Sequence, residues 1–402
     1  MSFIAEIPFR AYWSTPFCKW QGALQHLHPL RFGAYVAKQE LAARNIAPER
    51  IDHAVLGTTV ISHHAFFGLP WVASMAGLGH VTGPTILQAC ATGARCLHVA
   101  ASEIQSGMAH TSLIFTADRI SNGPHIYYPE PTGPGGTGTH EDWVMDNFSF
   151  DPAGGNSMIQ TAENVARRHG ITTAEQHEVV LRRYQQYLDA LANNNAFQKN
   201  YIRLPFEVPR PKLDKIALTI DGDQGISPST AEGLARLKPV VPDGTVTFGG
   251  QTHPADANAG LIVARPEQAA ALSADRAVRI RLLGFGQART ELAHMPQATV
   301  PAARRALEVA GLSMSQIDAV KTHNPFAVND IYFARETGFD VSKMNNYGCS
   351  LIYGHPQAPM GTRAVIELIE ELALRGGGRG LFVGCAAGDG AMAVVLSVEV
   401  GG

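Results

Sequence analysis

The segment Leu41-Ala42-Ala43-Arg44-Asn45-Ile46-Ala47-Pro48-Glu49-Arg50-Ile51-Asp52 has a counterpart far along the chain, Leu307-Glu308-Val309-Ala310-Gly311-Leu312-Ser313-Met314-Ser315-Gln316-Ile317-Asp318. The large apolar residues fall at matching places, Leu41, Ile46 and Ile51 against Leu307, Leu312 and Ile317. Each copy closes an amphipathic helix pattern and leads into an apolar strand pattern, Ala54-Val55-Leu56 in one and Ala319-Val320 in the other. A second pair follows. Gly93-Ala94-Arg95 opens a helix pattern running to about Gly107, with a strand pattern from Ser112 to Thr116. Gly361-Thr362-Arg363 opens one running to about Arg375, with a strand pattern from Gly380 to Val383. The shifts are 266 residues (41 to 307) and 268 residues (93 to 361). Two ordered matches at nearly one offset indicate an internal duplication. Strand–helix alternation within each copy predicts an α/β protein of two like units with mixed or parallel sheets.

The units take residues 1–120 plus 245–275 and residues 276–402. Residues 121–244 differ in texture and read as an inserted loop domain. They hold Pro and Gly clusters, such as Pro129-Glu130-Pro131-Thr132-Gly133-Pro134-Gly135-Gly136, and one long helix pattern from Thr173 to Asn193 with Glu175 in its first turn. Thr245-Val246-Thr247 and Gly260-Leu261-Ile262-Val263 read as strands returning to the first unit.

Composition excludes several classes. Of 402 residues, 45% are hydrophobic and 17% charged, the balance of a well-buried globular chain. Lys and Arg number 32 against 35 Asp and Glu, a net charge of −3, so there is no basic field for nucleic acid. No run approaches the 18 to 20 or so apolar residues of a membrane span. The start, Met1-Ser2-Phe3-Ile4-Ala5-Glu6-Ile7-Pro8, lacks the basic and apolar regions of a signal peptide. Five cysteines, Cys18, Cys90, Cys96, Cys349 and Cys385, are an odd number with no C-x-x-C pair. This argues against a disulfide framework or zinc site and for a cytoplasmic protein. Sixteen histidines, among them His26, His28 and the His63-His64 pair, are scattered without ordered Cys or carboxylate partners, so no metal is expected.

Cys90 follows the apolar run Thr85-Ile86-Leu87 and precedes Ala91-Thr92-Gly93 at a helix start. The helix dipole and free N–H groups there lower a thiol's pKa and favour thiolate. The duplication places the matching loop of the second unit near Ala358, just after Gly354-His355-Pro356. A cysteine at one helix N-terminus and a histidine before its equivalent are the minimal apparatus of an activated nucleophile. Spacing alone leaves a buried structural cysteine as an equal alternative.

Four segments in order resemble the signature blocks of the thiolase family: Gln88-Ala89-Cys90-Ala91-Thr92-Gly93, His323-Asn324-Pro325-Phe326, Gly354-His355-Pro356 and Gly384-Cys385-Ala386-Ala387-Gly388-Asp389-Gly390. Flanking text agrees, including Ser14-Thr15-Pro16-Phe17, Thr161-Ala162-Glu163-Asn164-Val165-Ala166 and Leu234-Ala235-Arg236-Leu237-Lys238-Pro239. The resemblance spans nearly the whole chain. It implies a thiolase fold, two duplicated five-layered α/β/α/β/α halves with an inserted loop domain. It implies an acyltransferase that cleaves a 3-ketoacyl-CoA, or runs the reverse Claisen condensation, with coenzyme A as substrate and no permanently bound cofactor. Cys90 matches the nucleophile that carries the acyl group, and His355 the base that activates it. Cys385 matches the second cysteine, which shuttles a proton at the acetyl-CoA α-carbon. The N–H groups of Cys90 and Ala387 match an oxyanion hole. Thr252, Met158 and Phe326 fall at substrate- or CoA-binding places. The resemblance also implies a homodimer or homotetramer.

The chain departs from the family in places. His323 stands where an Asn often orients a water; the sterol-carrier type of thiolase and related condensing enzymes also place His there, and His can donate directly to an enolate oxygen. Gly249-Gly250-Gln251-Thr252-His253 replaces Gly-Asn-Ala-Ser-Gly, and no Arg lies between Gly222 and Ser229 for the CoA nucleotide. The altered CoA segment allows a small zinc-ribbon/OB-fold helper subunit of the kind found beside unusual thiolases. Tyr127, Tyr128, Trp143, Phe148 and Phe150 in the insertion suggest a bulky, branched or aromatic acyl group, although they could equally pack the loop domain. Cys96 and Cys18 read as packing residues, and Cys349 as either core or near the site. The competing readings are a ketoacyl synthase-like condensing enzyme, against which Cys385 argues, and a thiolase-like acyl-CoA-binding subunit, which would be expected to lose a catalytic residue.

Overall fold

The computed structural model describes residues 3–401. In chain order the first half contributes strand β1 (Glu6–Ile7), helix α1 (Pro29–Ala43), β2 (His53–Gly57), β3 (Thr85–Ile86), α2 (Thr92–Ser106) and β4 (Thr111–Arg119). The insertion carries α3 (Met158–His169) and α4 (Thr173–Asn195), and β5 (Ala255–Ala264) returns to the first half. The second half contributes β6 (Val278–Arg289), α5 (Thr299–Ala310), β7 (Ala319–His323), α6 (Ala327–Thr337), α7 (Ala358–Leu374), β8 (Gly377–Ala386) and β9 (Gly390–Val400).

The strands run in the order β7-β8-β9-β6-β1-β5-β4-β2-β3. The duplication is visible in the pairing. β2 lies parallel to β4, which lies antiparallel to β5. Likewise β7 lies parallel to β8, which lies antiparallel to β9. β1 pairs with β5 on one side and β6 on the other, so the two half-sheets meet along it. Helix α1 packs on β4, α5 packs on β6 and β9, and α2 and α7 pack on one another between the sheets. Helix, sheet, helix pair, sheet and helix make the five layers that the resemblance implies.

Helix α7 shows why the middle layer forms. Every residue from Ala358 to Leu372 is buried. A surface helix keeps one polar face, whereas a helix between two sheets must be covered all round. The polar side chains on it are therefore paired internally. Arg363 binds both Asp223 oxygens, at 2.6 and 2.8 Å, and Glu367 at 2.9 Å, with Phe17 and Tyr353 against its guanidinium. Helices α2 and α7 cross through glycines. A Cβ on Gly93 would lie 2.7 Å from both Ala358 O and Thr362 N, and one on Gly361 would lie 3.1 Å from Ala94 N. Gly93 and Gly361 are the positions matched by the repeat.

In the insertion, α4 begins with a capping box. The Thr172 hydroxyl accepts from Glu175 N, and the Glu175 carboxylate accepts from Thr172 N. The helical backbone breaks at Ala192, Asn193 and Asn194, where Asn193 and Asn194 take left-handed φ. Arg183 ties α4 to α6 through a fully buried bond to Asp330 at 2.9 Å. The segment His125–Tyr128 pairs with Thr139–Asp142 as a separate two-stranded hairpin. One expected strand does not form. Thr245-Val246-Thr247 makes only an isolated bridge from Thr247 to Pro239. The N–H groups of Thr245 and Val246 donate instead to the buried Glu163 carboxylate at 2.8–2.9 Å, which removes them from any ladder.

Candidate active site

Two helix N-termini and two strand ends converge. At the first, the chain turns from β3 into α2 through Ala89, whose φ is +43°. The Thr92 hydroxyl clamps the turn, accepting from Gln88 N at 2.8 Å and donating to Ala89 O at 2.7 Å. This turn holds Cys90 two residues before α2, partly exposed. At the second, His355 N donates to His253 O at 2.8 Å, fixing the loop beside the start of β5. Gln357 follows at φ +61° and ψ −108°, a conformation rare for L residues, and Ala358 N donates to Asp118 Oδ2 at 2.9 Å. The paired ends of β7 and β8, His323 opposite Gly384, deliver His323 and the adjacent Cys385.

The Cys90 thiol and the His323 and His355 rings place one heteroatom each within 4.8 Å of one another. The two imidazoles lie 4.0 Å apart by centroid and are inclined 32°. His323 Nδ1 is 3.0 Å from Ser350 Oγ, while His323 Nε2 and both nitrogens of His355 are buried without a partner. Cys385 is fully buried and accepts from Asn329 Nδ2 at 3.3 Å. The site therefore offers unsatisfied imidazole nitrogens beside two thiols. Buried polar atoms normally find partners, so this is a place shaped for a substrate's oxygen atoms. The same three ligand atoms have a spacing open to a metal ion, and a thiol beside neutral imidazoles is also the donor set of nucleophilic acyl transfer.

Electrostatics correct one expectation. The helix dipole at α2 suggested a lowered thiol pKa at Cys90. Burial instead pushes it up to about 12, against a downward pull from the N–H groups of Ala387 and Cys90. Cys90 Sγ donates to Gln357 Oε1 at 3.2 Å, the arrangement of a neutral thiol. Burial lowers His355 to about 3, partly offset by the Gln357 amide, and also lowers His323, with His355 adding to the shift. Burial thus favours the neutral form of both imidazoles, each of which keeps one nitrogen lone pair. Burial raises Cys385, with the Cys90 thiol adding to it, which suits a proton donor. Asp118, raised by burial to about 6, takes five bonds, from the Thr58 and Thr59 hydroxyls and from the N–H groups of Thr59, Val60 and Ala358.

The remaining predicted residues lie nearby or in the frame. Thr252 Oγ1 donates to Ser350 O at 2.5 Å, and Thr252 N donates to Pro325 O at 2.7 Å. Phe326 is buried before α6, and Met158 opens α3, half-buried against the main core. Cys349 is buried and accepts from Asn324 Nδ2 behind His323, while Cys96 and Cys18 are core. The aromatic group divides. Trp143 and Phe148 pack with Val60, Ile120 and Val144, and Trp143 Nε1 donates to Thr59 O at 2.9 Å. Tyr127, Tyr128 and Phe150 are exposed. Sequence reasoning missed Gln357, Ser350, Asn329 and Asp118. Gln357, directly after Gly354-His355-Pro356, was the one with a visible signal.

Family comparison agrees with this geometry. The family models for the thiolase N-terminal domain and the thiolase C-terminal domain match residues 11–267 and 277–398. The chain belongs to the thiolase family. It is similar to acetyl-CoA acetyltransferase of Allochromatium vinosum, 29% identical over 381 residues, covering 94% of this chain and 95% of that one. Human mitochondrial 3-ketoacyl-CoA thiolase superposes with a TM-score of 0.88 at 26% identity, covering 99% of this thiolase and 100% of the human chain. A structure of that human enzyme in complex with CoA also matches, with a TM-score of 0.88. Acetyl-CoA acetyltransferase of Bacillus anthracis gives 0.89 at 26% identity, covering 99% of this chain and 100% of that one. This thiolase is an acyltransferase. No helix among its described residues is long and apolar enough to cross a membrane.

Proposed function

We propose that this thiolase cleaves a 3-ketoacyl-CoA through an acyl-enzyme on Cys90, or runs the reverse condensation. The carrying observation is the Cys90–His355–His323 cluster beside Cys385, assembled from both halves. His355 takes the Cys90 proton, and the sulfur attacks the C3 ketone. The oxyanion that forms needs donors already in place, because a preorganised donor stabilises developing charge without reorganisation. When the C2–C3 bond breaks, Cys385 protonates C2 of the departing acetyl-CoA enolate. His323 and His355 face the enolate oxygen. The Cys385 thiolate then deprotonates incoming CoA, whose sulfur takes the acyl group. The N–H groups of Cys90 and Ala387 hold the second oxyanion, and His355 returns its proton to Cys90. Thr252, Met158 and Phe326 contribute to the binding of acyl-CoA.

The acyl group is bulky, branched or aromatic in this reading. Trp143 and Phe148 support it, because Trp143 caps the Thr59 loop, which Asp118 joins to the start of α7. Apolar and aromatic walls are the usual lining of a ligand pocket. A buried ring should contribute about 1–3 kcal/mol, roughly a five- to 150-fold preference in kcat/KM. Thiolysis of acetoacetyl-CoA is to be measured against a ring-bearing 3-ketoacyl-CoA, with any helper subunit supplied. A better rate with acetoacetyl-CoA sinks the pocket assignment. Self-association fits the exposed Phe66, Phe67 and Leu87 near the free edge of β3, and light scattering would report the homodimer or homotetramer.

A further inference from the structure

We propose that Ser350 is a positioning residue whose hydroxyl can turn from Asn324 to His323, allowing His323 to take the tautomer that donates a hydrogen bond from Nε2 to the substrate. The argument is a count of protons around one hydroxyl. Asn324 Nδ2 donates to Asp330 Oδ2 at 2.8 Å and to Cys349 Sγ at 3.2 Å. Asp330 is itself held by the buried Arg183. The Asn324 amide is thereby oriented, and its Oδ1 faces Ser350 and Leu351. Leu351 N donates to that Oδ1 at 3.2 Å, and Asn324 N donates to Ser350 Oγ at 3.1 Å. All these groups are buried.

Ser350 has one proton left and two acceptors within reach. Asn324 Oδ1 lies at 2.9 Å and His323 Nδ1 at 3.0 Å. If the proton goes to Asn324, His323 must carry its own proton on Nδ1 and give it to Ser350 Oγ. His323 Nε2 is then a bare lone pair, because a neutral imidazole has one donor and one acceptor nitrogen. If the proton goes to His323 Nδ1, Nε2 carries hydrogen. Asn324 Oδ1 stays satisfied in either case, through Leu351 N–H. The two arrangements differ only at Nε2, the atom with no partner in the protein and with His355 and Cys90 around it. A lone pair there repels a developing enolate oxygen, and an N–H stabilises it. The hydroxyl is thus a two-position switch, and negative charge on the substrate selects the donor position. In triad logic, the group behind an imidazole decides which nitrogen works in front.

The inference rests on reading His323 as a donor to the enolate, and the test separates the two. Carbon–carbon cleavage of a 3-ketoacyl-CoA and acyl transfer from a simple thioester are measured for wild type, Ser350→Ala, His323→Ala and the double variant. Loss of one oxyanion donor costs about 10²–10³-fold. Ser350→Ala is expected to lower kcat for cleavage by about tenfold or more with KM little changed, and to spare transfer from the simple thioester, which forms no enolate. In the His323→Ala background the same substitution should cost less than about twofold, because interacting residues are non-additive. Ser350→Cys, which keeps a weak donor, should fall between and covers the case in which Ser350→Ala folds poorly. Equal Ser350→Ala losses in both backgrounds would show a merely structural serine and overturn the inference alone. Full cleavage activity in His323→Ala would remove the donor role of His323 and the inference with it.

Discussion

The two halves carry the same strand–helix–strand plan, and the connection after the shared parallel pair differs most. In the first half, β4 reaches β5 only after the insertion, from Arg119 to Ala255. In the second, β8 reaches β9 through Ala387, Gly388 and Asp389 alone, with Gly388 and Asp389 at positive φ. The long connection holds Trp143, Phe148 and the hairpin. The short one presents an N–H to Cys90. The equivalent arginines differ as well. Arg95 is half-buried and bonds Gln88 and His98, whereas Arg363 is fully buried among Asp223, Glu367 and aromatic rings. Duplication fixed the backbone, and each half's surroundings then chose what the same position does. In the proposed mechanism one half supplies the acyl carrier, and the other supplies the base and frame.

The most damaging way to test that division is at the thiols. Cys90→Ala should abolish cleavage and simple acyl transfer together, by about 10⁴-fold or more, as loss of a nucleophile that acts as part of a unit does. Cys385→Ala should cost about 10²–10⁴-fold in cleavage while acylation of Cys90 survives better. Peptide mass mapping of acyl-enzyme trapped without CoA reads both results. Acyl label on Cys385 would invert the roles of the halves.

The arginine contrast predicts a difference in stability. Removing one partner of a buried ion pair leaves an uncompensated charge and costs about 3–5 kcal/mol. Arg363→Met should therefore lose about that much in urea unfolding, because Asp223 stays buried. Arg95→Met should lose about 1 kcal/mol or less, as more exposed pairings do. Similar losses at both positions would end the frame-versus-surface distinction.

The smallest effect concerns acid. The folded pKa values of His355 and His323 are depressed by burial, while an unfolded histidine titrates near 6.5. Below about 6.5 the unfolded chain binds protons that the folded chain refuses, so stability present above 6.5 is lost as pH falls, for His355 down to its folded value of about 3. Each ring should add about 1.4 kcal/mol per pH unit to that slope. His323→Asn should flatten it, as seen in urea midpoints at pH 7, 5.5 and 4.5. An unchanged slope would mean that other groups set acid stability.

Much of this was legible in the sequence. The repeat showed the two halves because apolar period and helix-start glycines survive in both copies. That Cys90, His355, Cys385 and His323 belong together was legible because each sits in a compact block that resembles a family signature. Ser350, Gln357, Asn329 and Asp118 were not, because their roles are relations between distant positions. Cys90 meets Gln357 across 267 residues and Asp118 meets Ala358 across 240. No local pattern marks a polar side chain that becomes important only when another segment arrives beside it. The thiol pKa was misread for the same reason, since dipole is local and burial is not.

The glycine crossing of α2 and α7 acts like the gauge of a railway. With no side chain at Gly93 or Gly361, the two helix starts bearing Cys90 and His355 rest backbone on backbone. The spacing of Cys90 and His355 is then fixed by peptide geometry, not by packing that drifts as other residues change. A shift of about 1 Å between reacting groups can cost about 10²-fold in rate. The loops above can therefore be rebuilt for new acyl groups while the track beneath keeps its width.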